Sequence, residues 1–250
     1  HLKSTGYRVV LVTLPGFEEH PPVTLPLAFS EVVERLHHTL KVSHSLGATL
    51  IGHDWGAIFI YLLLNRYPED AARVVTLEVG VGPRTPWLTL FVLAYHALFN
   101  AIFALRAHVG GRLMGTLMKL VPRPKYPGSP PLKARHAWLY RQAWREGARG
   151  GLWPFYFRNA IAQWQPHSRQ PFLFLYGDRT LIGLRFHSGR WRAEITSIHP
   201  LSRTQALGGG HWCFLEDQDA FHRSLSDFFN ATDGPRPATG EANALPSHLP

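Results

Sequence analysis

In the stretch TLIGHDWGAIFI (residues 49–60), Asp54 directly follows an apolar run and lies between Gly52 and Gly56. A small-x-Asp-x-small pattern between a strand-like and a helix-like run reads as a sharp turn. Glycines at 52 and 56 would keep side chains from colliding with the strand and helix backbones, and the turn would push the central carboxylate into the open. The same position also suits a helix N-cap, because Asp accepts bonds from the orphan N–H groups there. A second reactive group is His211 in GGGHW, placed after the last strand-like run and before the last helix-like run. That order lets it reach a nucleophile at the top of a sheet, which sets it apart from the other fourteen histidines. An acid at the end of one of two further strands would complete the set.

The elements that must position these groups are legible as apolar runs closed by turns. YRVVLVTL (7–14) before Pro15-Gly16, ATLIG (48–52), ARVVTLEVG (72–80), PFLFLYGD (171–178) and a short run opening TQALGGGHW (204–212) read as strands. Residues 26–46 and 55–69 have helical spacing, ended by Gly47 and Pro68, and 216–229 reads as a closing amphipathic helix. Alternating strands and helices predict an α/β chain with a mostly parallel sheet and helices on both faces. From Gly82 to Gln170 the pattern changes to helical stretches rich in aromatics and arginine, interrupted by PRPKYPGSPP (122–131), as an inserted helical module would. The expected organisation is 1–81 core, 82–168 helical cap, 169–230 core and 231–250 a disordered tail, the last from its small, polar, proline-bearing composition.

Composition bounds the rest. With 45% hydrophobic and 17% charged residues the chain is globular in type. The formal charge of +9 is uneven, since residues 106–149 hold ten Lys/Arg against one acid, Glu146. No recognition-helix, zinc-finger or RNA-binding signature accompanies this segment, so a solvated face is expected and no nucleic acid partner. The single cysteine, Cys213, forbids an internal disulfide and fits a reducing compartment such as the cytoplasm. Residues 87–105, WLTLFVLAYHALFNAIFAL, approach the length of a membrane span. With His96 and Asn100 near its middle, a buried or substrate-covering helix is the favoured reading and membrane association the other.

LIGHDWGAIFIYLLLNRYPEDAARVVTLEVGVGP, with YRVVLVTLPGF upstream and GGGHWCFLEDQDAFHRSLSDFF downstream, resembles the α/β-hydrolase superfamily, in particular its epoxide hydrolase and haloalkane dehalogenase branch. The resemblance implies the α/β-hydrolase fold, an inserted cap, no cofactor and no metal. It implies that the Asp54 carboxylate attacks an electrophilic carbon of an apolar small molecule and that His211 activates the water that cleaves the resulting ester. The Trp55 backbone N–H would help hold the oxyanion, and its indole N–H matches a position that binds the leaving halide in dehalogenases.

The acid serving His211 is open between two positions. The common slot falls at Thr180, with Asp178 the carboxylate close by; some dehalogenases take the acid from a place matching Glu78. A carboxylate at the end of a buried strand is costly unless paired, which favours Glu78. Cap tyrosines donate a proton to the epoxide oxygen in epoxide hydrolases. The matching segment here, GGLWPFYFRNAIAQW, offers Tyr156 one place early, with Tyr95 and Tyr140 as further candidates. In that branch, strands and a His-Gly-x-Pro loop precede the segment matching YRVV. Residues 1–250 hold neither, so the sequence reads as a fragment or a truncated chain. The expected activity is epoxide hydrolysis, with dehalogenation or a catalytically inactive ligand- or membrane-binding protein as the alternatives.

Overall fold

The computed structural model describes residues 2–18, 24–80, 86–105, 109–120, 133–150, 170–179 and 185–233. Four strands, β1 (Ala48–His53), β2 (Ala71–Leu77), β3 (Phe172–Gly177) and β4 (Arg203–Leu207), form one sheet in that order, every neighbour pair parallel. Parallel neighbours need crossovers. Helix α1 (Phe29–Val42) precedes β1, and α2 (Trp55–Arg66) joins β1 to β2. Between β2 and β3 come α3 (Pro86–Ala104), α4 (Gly111–Leu120) and α5 (Trp138–Gly150). Helix α6 (Gly189–Ile198) joins β3 to β4, and α7 (Cys213–Glu216) and α8 (Gln218–Asp233) follow.

The central strands are buried on both faces, and their period of two sorts the core into layers. Val74, Phe172 and Phe174 pack against Tyr61 and Leu64 of α2 and Trp191 and Ile195 of α6. Val75, Leu77, Leu173 and Leu175 face the other way, onto Leu225, Phe228 and Phe229 of α8. Each such side chain contributes roughly 1.5–3 kcal/mol by leaving water. A third cluster joins Phe29 and Val32 of α1 and Trp55 and Phe59 of α2 to α3, α4 and α5 through Phe99, Met114 and Trp138. The inserted helices therefore sit over the start of α2, where Asp54 emerges.

Residues 7–14 correct the expectation of a buried first strand. They join no ladder, and Leu11 is 87% exposed. An apolar, β-branched run becomes a strand only where a neighbour offers backbone partners. Here side chains hold the segment instead: Arg8 donates to the carbonyls of Ser43 and His44, and Tyr7 donates to Asp233 and packs edge-on against Phe229. The closing helix also differs. It breaks at Asp217, whose carboxylate accepts the Ala220 N–H and so caps α8, and α8 continues to Asp233, past the expected start of the tail. The 122–131 loop, Tyr156, Thr180 and residues 234–250 lie outside the described residues.

Candidate active site

Each strand delivers one candidate at its carboxyl end. Asp54 follows β1, Glu78 follows β2, Asp178 follows β3, and His211 lies in the turn after β4. In a parallel sheet this edge is where loops and helix N-termini converge.

Asp54 has φ 52° and ψ −120°, a sparsely populated conformation for a side-chain-bearing residue. Its carboxylate caps no N–H of α2, so the N-cap alternative does not describe it. The crowding that enforces the turn is one-sided. A Cβ on Gly52 would stand 2.6 Å from Ile60 Cδ1 and 2.7 Å from the Gly56 carbonyl, whereas one on Gly56 would meet nothing within 4 Å outside its own helix. The expectation that both glycines are sterically required thus holds at Gly52 alone, because the chain turns so that Gly52 carries the close backbone approach. Trp55 opens α2, so its N–H is one of the orphan donors of a helix N-terminus and faces the positive end of the helix dipole.

The two candidate acids are placed differently. Glu78 is buried, at φ 68°, with one oxygen accepting the Gly177 N–H and the other 3.7 Å from Nδ1 of His211. That separation is an ion contact rather than a hydrogen bond, and among the described residues Nδ1 has no hydrogen-bond partner. The buried Tyr61 hydroxyl, bonded to Thr76 Oγ1 at 2.8 Å and the Val79 carbonyl at 2.7 Å, fastens the chain beside Glu78 to α2. Asp178 makes no ion pair with His211. Its carboxylate accepts the Gly209 N–H at 3.0 Å, while Gly208 N–H goes to Asp217 at 3.0 Å and Gly210 N–H to Glu216 at 3.1 Å. Three successive glycine N–H groups therefore each meet a carboxylate, and this strapping fixes the turn that carries His211. Gly209, at φ 121°, needs its lack of a side chain.

Burial pulls the His211 pKa down, but contact with Glu78 and the negative charge of Asp54 outweigh it, and the imidazole titrates above its ordinary 6.5. His53, immediately before Asp54, behaves oppositely. Burial first, then the charge of His211, draws it down to about 4, so it is neutral. Its Nε2 lies 2.8 Å from the His211 carbonyl. A carbonyl only accepts, so Nε2 carries the proton and donates. The His53 ring packs against those of His211, Trp212 and Phe214, with centroids 4.6, 5.0 and 4.9 Å away.

On the cap side, the hydroxyls of Tyr95 (α3) and Tyr140 (α5) are 2.7 Å apart. The Tyr140 ring meets Trp55 edge-on, centroids 5.3 Å apart, and His96 flanks the same two rings. Burial raises both phenol pKa values above the ordinary 10, and the negative charge of Asp54 adds to the rise in each. Asp54 thus lies within electrostatic reach of His211, Tyr95 and Tyr140 together. Neither the His53 contact nor the Tyr95–Tyr140 pairing has a signature in the sequence beyond residue type, because both depend on tertiary approach.

Among the described residues no three His, Cys, Asp or Glu side chains gather as a metal-binding group. An open depression between residues 12–18 and α1 has none of the candidate residues in its lining.

Residues 1–223 match the alpha/beta hydrolase family. One relative, epoxide hydrolase 3 of Siraitia grosvenorii, is 28% identical over 105 residues, which are 41% of this chain and 33% of that protein. The match thus spans a third of the relative's length. Among solved structures, a haloalkane dehalogenase loop variant from Bradyrhizobium elkanii superposes with a TM-score of 0.60 at 15% identity, covering 88% of this chain and 79% of that one. A thermophilic esterase from Thermogutta terrifontis gives 0.57 at 14%, with coverage of 88% and 79%. One fold therefore carries an esterase and a dehalogenase, and the choice of chemistry rests on the side chains.

Proposed function

The chain belongs to the alpha/beta hydrolase family, and from that premise we propose that it hydrolyses an epoxide on an apolar small molecule, with Asp54 as nucleophile. The observation that carries this reading is the geometry around the Asp54 turn: a His211–Glu78 pair at the strand ends and a Tyr95–Tyr140 hydroxyl pair from the cap, with the Tyr140 ring edge-on against Trp55, the residue after Asp54.

In the proposed reaction the Asp54 carboxylate attacks an epoxide carbon and the C–O bond to the ring oxygen breaks. That oxygen takes a proton from the tyrosine pair. In a pair of hydroxyls one proton lies between the oxygens and the other remains free to donate. The product is an ester on Asp54. His211, neutral, removes a proton from water, which attacks the ester carbonyl. The oxyanion is met by the Trp55 N–H; on collapse the departing alkoxide takes the proton from His211, and the proton left on the Asp54 carboxyl returns to the tyrosine pair, so the diol leaves and carboxylate, imidazole and phenols are restored. Glu78 offsets the charge that develops on His211. No step calls for a metal or a cofactor; the partners are the substrate and water.

Dehalogenation shares every step on the sheet side, and the Trp55 indole would face the departing halide. Halide leaves without a proton, however, and the paired phenols support the epoxide reading over it. His211→Gln exposed to styrene oxide is expected to gain the mass of one epoxide on Asp54, and His211→Gln/Asp54→Asn to gain none. If an epoxide turned over by the unaltered chain left no adduct in His211→Gln, the scheme would be wrong.

A further inference from the structure

Helix α3 covers the candidate site with one face, and its opposite face is apolar and open to solvent. Thr89, Val92, His96, Phe99 and Ile102 are buried. On the other side Trp87, Leu90, Ala94, Leu98, Ala101 and Leu105 are all exposed, the large ones at 68%, 56%, 39% and 48% for Trp87, Leu90, Leu98 and Leu105. At ~100° and ~1.5 Å per residue these six fall within an arc of about 80° and extend about 27 Å along the helix. Leu105 continues the helical course, its N–H bonded to the Ala101 carbonyl. The stripe has no polar member. At its end the chain returns closely, a Cβ on Gly110 being 2.2 Å from the Ile102 carbonyl, and exposed Val109, Arg112 and Leu113 lie within three residues of that contact.

A contiguous apolar face of this size needs a partner. By length and composition α3 is able to cross a bilayer, but its inner face is committed to the core, so a spanning arrangement would strip α5 and α2 of their packing. Lying on a surface keeps that packing and buries the stripe.

Charge identifies the surface. Residues 106–149 carry ten Lys/Arg and one acid, while the remaining sixteen basic and sixteen acidic residues cancel, so the whole net charge of +9 resides in the segment following α3. Glu146, the one acid, is turned inward, accepting from the Phe29 N–H and Gln142. Arg112, Lys133, Arg145 and Arg149 are exposed. Two copies of the chain meeting through this face would bring like charges together, which opposes self-association. Nucleic acid would satisfy the charge but leave the Trp87–Leu105 stripe in water.

We propose that this face docks the protein on an anionic lipid surface, with the stripe of α3 in the headgroup–acyl boundary and the exposed Arg112, Lys133, Arg145 and Arg149 against the headgroups. The proposal is independent of the reaction assigned to Asp54.

Sedimentation with vesicles tests it. The full chain is expected to bind vesicles of phosphatidylcholine with a quarter phosphatidylserine at least tenfold more tightly than pure phosphatidylcholine ones, about one factor of ten or more being typical of several basic residues near such a surface. Binding should weaken on raising salt. Trp87→Ser/Leu90→Ser/Leu98→Ser is expected to lower binding at least about tenfold with an unchanged melting temperature. Arg112→Glu is expected to lower it by a smaller factor. In the otherwise unaltered chain, brominated lipid should quench tryptophan emission, and less so in Trp87→Phe. No binding to either vesicle, or binding indifferent to the triple substitution, would overturn the proposal. So would a dimer in light scattering that the triple substitution dissolves, which would make the face an interface between copies.

Discussion

The Glu78 carboxylate stands 3.7 Å from Nδ1 of His211 while its second oxygen is held by the Gly177 N–H. Of two acids at neighbouring strand ends, the one after β2 faces the imidazole and the one after β3 straps a glycine turn. Glu78→Gln is expected to lower turnover about 10²- to 10⁴-fold. It should also move the acid limb of the pH–rate profile. In the proposed scheme His211 acts as base only when neutral, and Glu78 helps hold its pKa above the ordinary value. Without that charge burial weighs more, and the limb moves to lower pH. Asp178→Asn should leave the limb in place. The reverse pattern in pH–rate measurements would assign the role to Asp178.

In the proposed scheme His53 acts on His211 through the hydrogen bond it donates to the His211 carbonyl. His53→Ala is expected to slow ester hydrolysis more than ester formation, so the Asp54 adduct should accumulate in quenched-flow mass spectra. His53→Gln, which keeps an N–H donor, should recover part of the loss. Equal slowing of both steps would mean that His53 only supports the fold.

Tyr95→Phe and Tyr140→Phe separate epoxide opening from halide displacement. Loss of a proton donor should cost about 10²- to 10⁴-fold in adduct formation from an epoxide and little from a haloalkane, whose leaving group needs no proton. Burial and the Asp54 charge keep both phenols protonated, so this step should show no alkaline limb near neutrality. Unchanged adduct formation from the epoxide in both variants would remove the pair from the mechanism.

Stability should fall on acidification. His53 and His187 are both drawn down to about 4, burial being the largest cause in each. Unfolded imidazoles titrate near 6.5. Between about pH 6.5 and 4 the unfolded chain therefore binds more protons, and stability rises with pH over that window. His211 acts in the opposite sense, since its raised pKa contributes stability below 6.5 that is lost as pH rises through the folded value. The melting temperature is expected to drop from pH 6.5 to 4, less steeply in His53→Gln. A flat profile would show that these rings are not held neutral.

What was legible in the sequence is what local chemistry dictates. Four of the five strand-like runs are strands, because apolar β-branched residues closed by Gly or a turn leave little else to form. Asp54 and His211 were readable from their places between such runs. Residues 7–14 carry the same local signal and are not a strand, since pairing depends on a neighbour that no local pattern encodes. The role of Asp178 was hidden for a related reason. Its distance along the chain from Gly209 says nothing of their contact, whereas Glu78 was favoured by an energetic argument, that a buried carboxylate must be paired.

Asp54 and Glu78 share a further property. Along with His44 they are the non-glycine residues among those described with positive φ. Evolution of this chain toward greater thermal stability would, at position 54, favour glycine, which adopts such dihedrals without a Cβ penalty, whereas glycine at 78 would leave the buried Gly177 N–H without its acceptor. The carboxylate of Asp54 is thus a concession of stability. Libraries selected for heat resistance alone would be expected to erode position 54 first, and a stabilised descendant that retained Asp54 would have been under selection for something besides its fold.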